Sequence, residues 1–241
     1  MRAIFESLFD VAYLITVITM GTLILRRARS RADTLAGSMA LILGFGDAFH
    51  LVPRIVALNT VGVEAAHVAL GYGKLVTAIT MTVFYRLLYL LIQERWPRRR
   101  SLGLDALVYG AAVVHILMVL LPQNETFSAN PPLEWGIARN IPFAVLGVAI
   151  IGLLARRAGR DRFYRWGWLA VTLSFAFYAP VVLFGHVNEA VGLLMIPKTL
   201  AYVWLVWMGF RAAGQGDADG SALPADAADM PVEVPAEASA R

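Results

Sequence analysis

An acid, an imidazole and a guanidinium follow one another at Asp47, His50 and Arg54, inside a segment that is otherwise apolar from Leu35 to Leu58. Their spacing of i, i+3, i+7 would put all three on one helical stripe about two turns long. Such a stripe could grip an anion through Arg54, relay a proton between Asp47 and His50, or ligate a metal through that same pair. Two further groups extend the set. Of the 21 basic residues only Lys74 and Lys198 are lysines, and both stand inside apolar runs. The rest of the basic surface is arginine, so an ammonium at those two places is a specific choice.

The elements that must position these groups are membrane helices. The chain has 241 residues, of which 59% are hydrophobic and 16% charged, against about 25% charged in an ordinary soluble domain. Seven apolar runs, approximately 7–25, 35–58, 67–92, 103–121, 136–155, 166–185 and 190–210, are each long enough to cross a hydrocarbon core of roughly 30 Å. The expected fold is therefore an all-α integral membrane protein, a seven-transmembrane-helix bundle over residues 1–211. The first run carries Glu6 and Asp10 and is followed by arginines, which marks a mature helix and not a cleaved leader. From 212 to 241 the chain turns Ala- and Pro-rich, with six carboxylates between Asp217 and Glu237. That composition predicts a disordered acidic tail.

Arginines cluster after the first, third and fifth runs, whereas the loops at 59–66, 122–135 and 186–189 contain neither Lys nor Arg. By the positive-inside rule this predicts an outside amino terminus and a cytoplasmic carboxyl terminus, in a multi-pass protein of the bacterial inner membrane. Trp96, Trp135, Trp166 and Trp168 fall at the run boundaries, as interfacial anchors do. A glycosylation-type Asn124-Glu125-Thr126 triplet lies in one of the arginine-free loops, although the composition is bacterial. Helices 2 and 6 share aromatic-proline segments, and helices 3 and 7 share Gly73-Lys74-Leu75 and Pro197-Lys198-Thr199. These pairs fit a parallel repeat of three helices, one linker helix and three helices.

With this orientation Asp47 lies about 15 Å from the outer boundary, Lys74 about 12 Å and Lys198 about 14 Å, all near the midplane. An ionisable group there costs at least about 2.5 to 3.5 kcal/mol against lipid, so these groups must face one another or a cavity. Closer to the outer face come His50, His115, Tyr178, Arg54, Arg139 and Asn140. Prolines 53, 142, 180 and 197 are expected to interrupt four helices, and glycines 44, 46, 71 and 73 to let helices 2 and 3 approach. One deep acid against two lysines and two arginines leaves an excess of positive charge.

The favoured chemistry is binding or transport of a small anionic or zwitterionic ligand in a pocket open to the outer face. Lys74, Lys198, Arg54 and Arg139 would be the ligand cations, Asp47 the charge partner or proton carrier, His50 the relay, and Tyr178 and Asn140 polar walls. The alternative is an intramembrane metal-dependent hydrolase of lipid-like substrates, with zinc on Asp47, His50 and His115. Seven helices, a lysine in the last and the segment Phe177-Tyr178-Ala179-Pro180-Val181-Val182 resemble the microbial rhodopsins, which would imply a chromophore on Lys198. That family, however, has an aspartate one turn before its lysine, where Leu194 stands, and a third-helix carboxylate, where Lys74 stands. A receptor or scaffold is the reading from another class. Membrane lipids and a small molecule are the expected partners, nucleic acid is not, and self-association is compatible with the sequence. The absence of cysteine excludes disulfides and thiolate metal sites. No resident cofactor is favoured. The zinc alternative requires about one metal per chain in the purified protein, lost in His50→Ala; elemental analysis that finds no metal in the wild type rejects it.

Overall fold

The structure, a computed structural model, describes residues 2–60, 62–97 and 101–215. The acidic segment beyond residue 215 and the arginines at 98–100 lie outside the described residues. Among the described residues every regular element is helical: α1 (Arg2–Arg27), α2 (Arg31–Asn59), α3 (His67–Arg95), α4 (Leu102–Leu120), α5 (Leu133–Arg157), α6 (Gly167–Phe184) and α7 (Met195–Ala212), with short 3-10 segments at Pro122–Asn124, Ala158–Arg160 and Glu189–Leu194. All seven runs form helices long and apolar enough to cross a membrane.

Local chemistry explains where the helices stop and turn. Between α1 and α2 the Ser30 hydroxyl accepts from the Asp33 N–H at 3.1 Å, and the Asp33 carboxylate accepts from the Arg29 N–H at 3.0 Å. This reciprocal cap satisfies orphan donors at the start of α2 and fixes a tight reversal. After α4, the Asn124 amide donates to the carbonyls of Met118 at 2.5 Å and Leu121 at 3.0 Å. Asn124 is buried, so the glycosylation triplet is engaged in capping a helix and is not displayed.

The expectation about the prolines is corrected. Pro53, Pro142 and Pro180 lie within continuous helices and interrupt none of them. The seventh membrane span runs Ala190–Ala212, close to the expected 190–210, but opens on a tighter turn. Residues Glu189–Leu194 wind as a 3-10 segment and α7 starts at Met195. That start places Pro197 in the first turn, where its missing N–H removes no intrahelical bond.

The helices pack in chain order as a ring, α7 closing onto α1, with further contacts from α7 to α2 and from α3 to α5. α3 is the most enclosed. Its largest sealed side chains, Phe84, Tyr85, Leu88 and Tyr89, meet Val17 and Ile24 of α1, Met39 and Leu43 of α2, Leu146, Ile150 and Leu154 of α5, and Leu205 of α7 in one core. All of these lie in the half of the bundle nearer the arginine-bearing loops. At that end the Arg95 guanidinium pairs with Asp161, whose other oxygen accepts from the Phe163 and Tyr164 N–H groups, tying α3 to the α5–α6 connection. Burial holds the Tyr164 phenol well above its ordinary range, so it stays neutral, with the Arg95 guanidinium 5.2 Å from its ring centroid.

Lipid is as apolar as leucine, so close packing and internal hydrogen bonds hold membrane helices together, with little help from a hydrophobic effect between them. The tightest approach is between α2 and α3. A Cβ at Gly73 would meet the Phe49 carbonyl and the His50 Cα, and one at Gly46 would run into the Thr80 side chain. Gly44 instead faces Ile18 and Val17 of α1, and Gly71 faces Thr126 and Phe127, so only two of the four glycines serve the α2–α3 contact. Gly73→Ala should therefore destabilise the protein by about 1–3 kcal/mol, the usual cost of overpacking. Gly110→Ala and Gly152→Ala face open space and should be neutral or gain up to about 1 kcal/mol in helix propensity. Thermal unfolding in detergent checks this, and equal shifts for all three variants would count against the close approach.

Candidate functional site

The half of the bundle opposite the arginine-bearing loops encloses a cavity of about 440 Å³. It is bordered by all eight residues singled out above: Asp47, His50 and Arg54 of α2, Lys74 of α3, Arg139 and Asn140 of α5, Tyr178 of α6 and Lys198 of α7. The α2–α3 approach accounts for the first four. With Gly73 against the backbone of Phe49 and His50, the polar stripe of α2 and the Lys74 face of α3 share one wall. Thr77 reinforces that wall by donating to the Gly46 carbonyl at 3.1 Å.

At the deep end Asp47 accepts a hydrogen bond from the Tyr13 hydroxyl at 2.6 Å. Among charged neighbours the Lys198 ammonium acts most strongly on Asp47, although the two make no direct ion pair. Lys198 instead stands 4.8 Å from the Tyr178 ring centroid and 5.6 Å from that of Tyr202. Two aromatic faces and a nearby carboxylate thus offset the cost of holding an ammonium at that depth. Beneath it the Tyr202 hydroxyl lies 3.1 Å from that of Tyr85, which lies 3.4 Å from Ser174 Oγ. Of these three only Tyr202 borders the cavity; Tyr85 and Ser174 stand behind it, where the apolar core begins.

Nearer the open end the charges differ from expectation. Arg54 donates to Glu6 at 3.0 Å, forming a pair between α2 and α1. Asp10 also borders the cavity. The lining therefore holds four cationic side chains and three carboxylates, which corrects the larger positive excess inferred from the sequence. Arg54 thus lines the cavity while engaged by Glu6. The surplus collects elsewhere. Lys74 makes neither a hydrogen bond nor an ion pair among the described residues, and the charges bearing most on it are the guanidinia of Arg139 and Arg54. Arg139 has only a long contact of 3.5 Å to the Asn124 amide oxygen. Asn140 and Tyr178 bond one another at 3.1 Å, and the Asn140 amide donates to the Gly136 carbonyl. They are walls held in place by each other. Nδ1 of His50 is buried with no hydrogen-bond partner among the described residues.

The histidines do not assemble a metal centre. The His115 ring is buried, its Nδ1 2.6 Å from the Thr82 hydroxyl and its face tilted over Phe143. His67 lies on the exterior, with Nδ1 at the Glu64 carbonyl, and His186 is exposed. Among the described residues no three His, Asp or Glu side chains converge as a metal ion requires. The set of Asp47, His50 and His115 is thereby corrected: they border one cavity without forming a ligand cluster.

No protein-family model matches this chain, and no curated protein or solved structure matches it either. The site is known by its own chemistry. Tyr202, which borders the cavity, and Tyr13, which bonds Asp47, escaped sequence reasoning, because tyrosines in apolar runs look like packing residues. The only signal was their position: Tyr13 and Tyr202 stand at depths comparable to Asp47 and Lys198.

The deep pair is testable by a double-mutant cycle. Asp47→Asn weakens the bond from the Tyr13 hydroxyl and removes the carboxylate charge near Lys198, and should cost about 1–3 kcal/mol, as disturbing a buried hydrogen bond to a charged group does. Adding Lys198→Met should recover a large part of that loss. Denaturation in detergent reads the coupling, and strictly additive effects would mean that the two charges do not interact.

Proposed function

We propose that this chain is a multi-pass protein of the bacterial cytoplasmic membrane that binds a small anionic or zwitterionic solute in its cavity and carries it inward from the outer face. The observation that supports the reading is the pair Lys74 and Arg139, two cations on one cavity wall with no carboxylate partner among the described residues. Unpaired charge inside a membrane protein is costly, and a ligand carboxylate or phosphate would neutralise it through charge-assisted hydrogen bonds. Asp10, with the Arg54 charge beside it, lines the same cavity and would receive the ammonium of a zwitterion. A volume of about 440 Å³ falls in the range of small-molecule sites.

Orientation enters through arginine placement. The loops at the cavity end lack Lys and Arg and the opposite loops are rich in Arg, so the positive-inside rule puts the cavity toward the outside. The parallel repeat would relate Lys74 of α3 to Lys198 of α7. One lysine then has a structural anion in Asp47, and the other awaits the ligand. Inward release requires the hydroxyl cluster and the apolar half to open, the gating expected of an alternating-access carrier.

Carboxylates, phosphates and amino acids are to be screened by thermal shift on detergent-solubilised protein, with affinities then measured by calorimetry. Lys74→Met and Arg139→Met should each weaken binding of the best solute at least tenfold, which is about 1.4 kcal/mol. The double variant Lys74→Met with Lys198→Met should abolish uptake into proteoliposomes. Undiminished affinity in both single variants, or retained uptake in the double, rejects the site.

A further inference from the structure

A second pocket, of about 260 Å³, lies at the arginine-bearing end, between the last turns of α3 and α5. Its walls are of two kinds. Ile92, Trp96 and Leu153 make an apolar side, and Arg156, Arg157 and Arg160 make a cationic one. Arg160 follows Arg156 by four residues and Arg157 by three, and the 3-10 turn Ala158–Arg160 brings it back over the end of α5.

Several other arginines at this end have partners. Arg95 pairs with Asp161, Arg31 lies 3.8 Å from Glu94, Arg27 stands 4.9 Å over the Phe210 ring, and Arg165 5.5 Å over Trp166. Arg156, Arg157 and Arg160 make no ion pair or side-chain hydrogen bond among the described residues. The nearest acid in the chain, Asp161, is turned away, engaged by Arg95 and by the Phe163 and Tyr164 N–H groups. Three like charges at i, i+1 and i+4 crowd one helix end, and Arg160 is repelled by both Arg156 and Arg157. With the local carboxylate committed elsewhere, the anion that relieves this repulsion has to come from outside the described fold.

We propose that this pocket binds the phosphate of an anionic phospholipid headgroup at the boundary of the bilayer. Three guanidinia can take a phosphate in bidentate fashion. The apolar wall distinguishes a lipid from free phosphate: the glycerol and upper acyl carbons of a bound lipid would rest against half-buried Trp96 and the inner side chains Ile92 and Leu153, and inorganic phosphate would leave that wall unused. The pocket lies at the opposite end of the bundle from the solute cavity and is independent of what that cavity binds.

The test uses the full chain in mild detergent, titrated with phosphatidylglycerol, phosphatidylcholine or inorganic phosphate, with retained lipid counted by native mass spectrometry and stability followed by thermal shift. Wild type should keep one phosphatidylglycerol, gain melting temperature from it, and show neither effect with phosphatidylcholine. The triple variant R156Q/R157Q/R160Q should lose at least tenfold in phosphatidylglycerol affinity while melting normally in detergent alone. The charge-matched variant R26Q/R29Q/R211Q should behave as wild type. Equal retention of both lipids, equal loss in both triple variants, or equal protection by inorganic phosphate would each overturn the proposal: the first by removing selectivity for anionic lipid, the second by reducing the effect to diffuse charge, the third by removing the lipid.

Discussion

The approach of α2 to α3 at Gly46 and Gly73 is the contact on which the rest of the bundle depends. At Gly73 the backbone of α2 itself, and not a side chain, occupies the place of the missing Cβ. Because the Phe49 carbonyl at that contact lies four residues before Pro53, it has no helical N–H to accept from. A spacing this short leaves no room for lipid between Asp47 and His50 on one helix and Lys74 on the next. Any polar surface they present must face the interior, and the remaining five helices arrange themselves around that surface as a ring. Were either glycine bulkier, α2 and α3 would part and three ionisable groups would meet hydrocarbon, each at a cost of several kcal/mol.

The two halves of the bundle solve opposite problems. Near the arginine-bearing loops the interior is sealed by Leu88, Ile150, Leu154 and Leu205, which need nothing but contact. Away from those loops the interior is a lined space in which every polar group needs a partner or water. The change occurs where the hydroxyls of Tyr85, Tyr202 and Ser174 meet one another and the two tyrosine rings pack against Phe84 and Phe143. A phenol suits that boundary because it is apolar on its body and polar at its tip. The arrangement is closed on one side, and on the proposed reading a carrier would have to disrupt this aromatic cluster to release its solute.

Much of this was legible from the chain because membranes make ionisable residues conspicuous. Asp47, Lys74 and Lys198 stand out in apolar runs, and depth arithmetic alone brought them to one level. What could not be read was rotation. Helical spacing places Arg54 on the Asp47 stripe, but whether its guanidinium meets ligand or Glu6 depends on how α1 turns against α2, and α1 has acids at both Glu6 and Asp10 near its start, where solvent would have been an equally good explanation. Tyr13 and Tyr202 were invisible for a different reason, since hydropathy counts a phenol as apolar and the hydroxyl matters only once an Asp or Tyr stands opposite. The seventh span begins where hydropathy put it, at Ala190, but that its first residues wind as a 3-10 segment ahead of α7 is not carried by apolar composition.

The two lysines illustrate how similar sequence signals separate in three dimensions. Lys198 is held by aromatic faces and the field of Asp47, a setting that suits a compact ammonium and would not accommodate the broad fork of arginine in the same space. It belongs to the architecture: its charge is matched by groups that were already there. Lys74 has cations for its strongest neighbours and nothing to match it. A network kept only for stability would be expected to remove such a charge, since replacing an unpaired buried ion by an apolar residue of similar size is favourable. Its retention beside Arg139 is the strongest reason to regard this wall of the cavity as made for a ligand, and the deep wall of Asp47, Tyr13 and Lys198 as the frame that holds it.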